Sequence, residues 1–121
     1  MRWVNQVGGE DAGRPDLVGI NGAGKQVLLV EAKFWAGLTD KQPLVYLDRL
    51  PPGGALLVIA PAGRSTLLWA ELRKRLLEGG QAFEERPISS HGVNAGMVGG
   101  KLMALVSWRA VLAAARIRAE G

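Results

Sequence analysis

Two short, nearly uninterrupted apolar runs constrain this chain more than any other feature: Val27-Leu28-Leu29-Val30 and Ala55-Leu56-Leu57-Val58-Ile59-Ala60. Each is too short for a buried helix and is bounded by turn residues, so each reads as a buried strand, the first over residues 27–35. Between them, Leu44, Val45, Leu47 and Leu50 supply the apolar side of a helix that Pro51-Pro52-Gly53-Gly54 stops. Thr39-Asp40-Lys41-Gln42 has capping-box spacing and predicts that the helix opens there. Strand, helix and strand in this order imply a parallel pair joined by a right-handed crossover.

The flanking segments extend this sheet. Residues 2–7 and 16–20 read as strands, and Asn21-Gly22 is a strong turn signal, so the first three strands form an antiparallel meander. After Pro61 and Gly63, Ser65 is placed as the N-cap of a helix with Leu68, Leu72 and Leu76 on its buried stripe. Glu71, Arg73, Lys74 and Arg75 are expected on its wet side, and Gly79-Gly80 ends it. Residues 79–100 hold six glycines with no periodicity and are expected to be a flexible Gly-rich loop. A strand over residues 102–107 and an alanine-rich helix over residues 109–119 complete the chain. The fold class is thus α/β, a mixed sheet flanked by helices.

With 121 residues there is room for one core and not two, so residues 1–121 form a single domain. The apolar runs are far shorter than a bilayer span, and no signal-peptide pattern opens the chain, so no membrane partner is expected. The absence of cysteine excludes disulfides and thiolate metal sites and fits a cytoplasmic setting. The net charge of +4 comes entirely from residues 61–121, with nine bases against five acids. A surplus of that size suits a nucleic-acid partner without demanding one.

Chemistry concentrates in Val30-Glu31-Ala32-Lys33-Phe34. Strand alternation sends Glu31 and Lys33 to one face and Val30, Ala32 and Phe34 to the other. Buried charge at such a place needs a partner or a metal. If Ile20 pairs with Val27 across the hairpin, Asp16 falls opposite Glu31; a slip of one residue puts it opposite Val30 instead. A two-carboxylate site therefore requires the first register or a bulge near Asp16. Two hard oxygen donors suit Mg²⁺ or Mn²⁺.

Gly13-Arg14-Pro15-Asp16-Leu17 followed by Glu31-Ala32-Lys33, with Gln42-Pro43-Leu44-Val45-Tyr46 downstream, resembles the PD-(D/E)XK nuclease superfamily and its restriction-endonuclease-like fold. The Gln-x-x-x-Tyr element is similar to that of its RecB-like branch, and the resemblance covers roughly residues 1–63. It implies a metal-dependent nuclease hydrolysing phosphodiester bonds in DNA, with Asp16, Glu31, Lys33, Gln42 and Tyr46 as the catalytic set. Asp16, Glu31 and the Ala32 carbonyl would hold the ion, and Lys33 would orient the attacking water. Gln42 and Tyr46, one helical turn apart, would position the site or the DNA backbone, and Arg14 would contact a phosphate of the DNA. A homodimer or companion domain would help so small a chain grip a duplex. One departure is that the helix usually found ahead of the first strand is missing before Trp3. That departure keeps a second function open, a catalytically inactive nuclease-fold module that binds nucleic acid or a protein partner.

Other features carry less. Gly19-Ile20-Asn21-Gly22-Ala23-Gly24-Lys25 has phosphate-loop spacing, but Gln26 follows the lysine and a strand follows that. It reads as a hairpin turn, with no nucleotide cofactor. His91 is the single histidine and has no acid or nucleophile beside it in sequence. The tryptophans read as core or rim packing, with Trp35 alternating onto the Glu31 face.

Overall fold

The computed structural model describes residues 2–5, 15–32, 42–86 and 92–120. Its strands are β1 (Arg2–Asn5), β2 (Leu17–Ile20), β3 (Gln26–Ala32), β4 (Ala55–Ala60), β5 (Glu84–Arg86), β6 (Val93–Val98) and β7 (Lys101–Ser107). Helix α1 spans Leu44–Arg49, α2 spans Ser65–Glu78 and α3 spans Trp108–Glu120. One seven-stranded mixed sheet runs β1-β2-β3-β4-β7-β6-β5. Its centre, β4, is parallel to β3 on one side and to β7 on the other, while every other pairing is antiparallel.

The two apolar runs become β3 and β4, joined through α1 as the sequence predicts, and the β1-β2-β3 meander is present. Asn21 shapes the β2–β3 turn: its Oδ1 accepts from the backbone N–H groups of Ala23 and Lys25, each at 3.0 Å. The segment with phosphate-loop spacing is therefore a hairpin connection and does not open a helix.

One face of the sheet is covered by α1 and α2. Leu29, Leu56, Val58, Met103 and Leu105 meet Tyr46, Leu47 and Leu50 of α1 and the Leu68, Leu72, Leu76 stripe of α2. All these residues are buried. Among the described residues no helix is long and apolar enough to cross a membrane.

Four expectations need correction. First, α1 starts at Leu44, with Pro43 in the cap position and no side-chain cap. Gln42 lies in the turn before the helix, where its side chain is committed elsewhere; Thr39 lies outside the described residues. Second, Ser65 is the first residue of α2 rather than its cap, and its buried hydroxyl has no partner among the described residues. Third, residues 79–100 contain β5 and β6. Glycine hid the strand there: a Cβ at Gly96 would collide with the Phe83 ring. Gly99 and Gly100, at φ 55° and 78°, make the two-residue turn into β7, a hairpin signal that was legible. Fourth, Arg75 is half-buried rather than fully in water.

Candidate functional site

The core face of β3 carries Leu29 and then, one pleat on, Glu31. The register sets Glu31 beside Val58, and Val58 beside Leu105, in one row across the sheet. A carboxylate thus stands where the neighbouring strands have Val and Leu. Only 8 % of Glu31 is exposed. A charge so placed needs a hydrogen-bond donor. Tyr46 provides one, its hydroxyl donating to Glu31 Oε2 at 3.3 Å. Gln42 Nε2 in turn donates to the Tyr46 oxygen at 3.4 Å. Their spacing of one helical turn lets both side chains reach the end of β3. Pro43, Leu56, Val58 and Leu72 complete the walls around the three polar groups.

Burial pushes the Tyr46 hydroxyl up to about 12, against an ordinary 10.0. The Gln42 hydrogen bond opposes that rise, and the Glu31 charge and hydrogen bond add to it. The hydroxyl therefore remains a donor to the carboxylate throughout the neutral range. Gln42 and Tyr46 are buried, at 4 % and 1 % exposure, and form a chain in which Gln42 meets Tyr46 and Tyr46 meets Glu31.

Asp16 comes opposite Glu31 by a route that differs from the simple hairpin. Ile20 pairs with Gln26, not Val27, which is the slipped register. A register shift between Gly19 and Ile20 then moves the remainder of the ladder by one residue, so Val18 pairs with Leu29 and Leu17 with Val30. The compensating irregularity sits at the turn end of β2, away from Asp16. Just beyond the last pair, the Asp16 N–H donates to the Val30 carbonyl at 2.9 Å. Asp16 Oδ2 accepts from the Ala32 N–H at 2.7 Å. Asp16 therefore brackets Glu31, bonded to the residue on either side of it. Asp16 itself is exposed.

Asp16 and Glu31 carry hard oxygen donors, the class that suits a small divalent cation. Each carboxylate has one oxygen held by a protein N–H or O–H group, the arrangement that orients a ligating carboxylate. Among the described residues, no group of three or more His, Cys, Asp or Glu side chains is placed to share an ion. The set offered is two carboxylates with the main chain at Ala32. Lys33 and Arg14 lie outside the described residues, as do His91 and Trp35.

One further residue meets this site without any motif to mark it, and a second braces the helix beside it. Arg75 of α2 donates through Nη1 to the Gln42 carbonyl at 3.0 Å. Lys101 of β7 donates to the Leu47 carbonyl at 2.6 Å, near the end of α1. Both are long cations at the margins of apolar stripes, where sequence patterning assigns a solvated face. Comparison with family models, with curated proteins and with solved structures finds no match to this chain.

Proposed function

We propose that this chain is a Mg²⁺- or Mn²⁺-dependent nuclease of the PD-(D/E)XK type, with a restriction-endonuclease-like core, hydrolysing phosphodiester bonds in DNA. The observation that carries the reading is the hydrogen-bond chain from Gln42 through Tyr46 to Glu31, with Asp16 bonded on both sides of that glutamate. It ties the Gln-x-x-x-Tyr segment to the acidic residue of Glu31-Ala32-Lys33, two motifs that lie far enough apart in sequence to need the fold to join them. The mixed sheet and its β3–α1–β4 step fit the same architecture.

Asp16, Glu31 and the Ala32 carbonyl would hold the cation. When bound, such an ion polarises the phosphodiester and makes water a better nucleophile at neutral pH. Tyr46 and Gln42 orient the Glu31 carboxylate. The Lys33 amine orients the attacking water and opposes the negative charge that builds on phosphorus. A bond forms from water oxygen to phosphorus, the bond to one sugar oxygen breaks, and the water's proton passes through solvent to that leaving oxygen. A second copy or a companion domain would complete the grip on a duplex.

One observation favours a second reading, the inactive module that binds nucleic acid or a protein. Asp16 Oδ2 already accepts a main-chain hydrogen bond, and Glu31 faces an apolar-walled interior, as structural carboxylates do. Cleavage of supercoiled and linear DNA with and without Mg²⁺ separates the two. The nuclease reading predicts metal-dependent cutting that is lost in both Glu31→Gln and Lys33→Ala. DNA retained by the wild type but cut no faster than by these variants establishes the inactive module.

A further inference from the structure

Arg75 stands on α2, far in sequence from every motif residue, yet its side chain is only 23 % exposed. Among the described residues it joins Gln42 to Glu71. Nη1 donates to the Gln42 carbonyl at 3.0 Å, and Nε donates to Glu71 Oε1 at 3.0 Å within the same helix. The Glu71 carboxylate fixes the plane of the guanidinium, and that plane fixes the main chain at Gln42. Gln42 sits in the turn ahead of a six-residue helix that has no side-chain cap. So short a helix has little stability of its own, and its position must come from tertiary contacts. From Glu71 the hydrogen bonds run through Arg75, Gln42 and Tyr46 to Glu31, from the outer side of α2 to the end of β3.

We infer that Arg75 is a positioning residue of the candidate site, clamping the Gln42 main chain so that the Gln42 and Tyr46 side chains hold the Glu31 carboxylate in place. The inference rests on the proposed nuclease reading for its consequence in catalysis, but the clamp itself does not. Arginine suits the task because its rigid fork serves two acceptors at once, whereas lysine offers a point charge. Lys74, the next residue back, is exposed and among the described residues pairs only with Glu78 at 3.8 Å, and it provides the control from the same helix.

Tyr46 is the only tyrosine, so a ring-labelled tyrosine gives one NMR signal that reports on this network. Glu71→Gln and Arg75→Lys leave the core intact and are measured beside Arg75→Ala, with thermal melts to show that each variant is folded. Arg75→Ala is expected to move the Tyr46 signal and Glu71→Gln to move it less in the same direction. Arg75→Lys restores it in part, and Lys74→Ala leaves it in place. A Tyr46 signal unchanged in both folded Arg75→Lys and Glu71→Gln overturns the clamp, whatever the protein does to DNA. In Mg²⁺-dependent cleavage, the folded Arg75 variants are expected to lose on the order of 10- to 100-fold in kcat with KM for DNA little changed. A loss confined to KM overturns the positioning role. Absence of cleavage in the wild type removes the nuclease reading alone, and the Tyr46 signal still decides the clamp.

Discussion

The two sides of the sheet are built alike and differ in what they bury. β1-β2-β3 and β5-β6-β7 are both antiparallel meanders, and each ends on a strand that lies parallel to β4. Across that shared centre the row Glu31, Val58, Leu105 sets a carboxylate on one side against a fully buried leucine on the other. The fold accepts leucine at such a position without difficulty. Glu31 must therefore be accounted for by something other than packing: its partner Tyr46 comes from the short helix that covers it, and Gln42 backs Tyr46 from the turn ahead of that helix.

That contrast can be tested first through stability. Leu105→Ala is expected to cost about 2–5 kcal/mol, because it opens a cavity among buried neighbours. The double variant Glu31→Leu, Tyr46→Phe leaves neither a buried charge nor an orphaned hydroxyl. It is expected to lie within about 1 kcal/mol of the wild type, relief of the buried charge offsetting the loss of the Tyr46 acceptor for the Gln42 amide. Denaturant melts of both variants measure the difference, and a double variant that is badly destabilised would mean that the carboxylate serves the fold.

A smaller effect appears in alkali. The folded chain holds the Tyr46 proton up to about 12, whereas the unfolded chain loses it near 10. The unfolded state thus binds fewer protons between these values, and stability falls as pH rises through them. The contribution is complete below pH 10 and amounts to about 3 kcal/mol lost by pH 12. Tyr46→Phe should flatten that part of the stability profile. With a single tyrosine in the chain, phenolate absorbance follows the same event directly.

The smallest effect belongs to the opposite meander. Gly100 adopts φ 78° in open space, so Gly100→Ala meets no neighbour and suffers only from its backbone conformation. A loss of about 1–2 kcal/mol, read from thermal melts, is expected.

The same comparison explains what was legible in the sequence. β3, β4 and α2 could be read because continuous apolar runs and a leucine stripe are local patterns. β6 was hidden because Gly96 leaves room for the Phe83 ring and so removes the side-chain alternation that would mark a strand. At the site, Glu31 stood out as a charge within an apolar strand. The contact between Gln42, Tyr46 and Glu31 follows from spacing only once α1 is laid across β3. The place of Asp16 depended on a register shift at the far end of β2, which no local pattern encodes. Arg75 escaped notice because an arginine beside a leucine stripe looks the same whether it faces water or a carbonyl.

The most direct test is Mn²⁺- or Mg²⁺-dependent DNA cleavage by the wild type beside the folded Glu31→Leu, Tyr46→Phe double variant. The account predicts cutting by the wild type that vanishes on chelation, and none by a double variant of equal stability. Equal rates from the two proteins would contradict it.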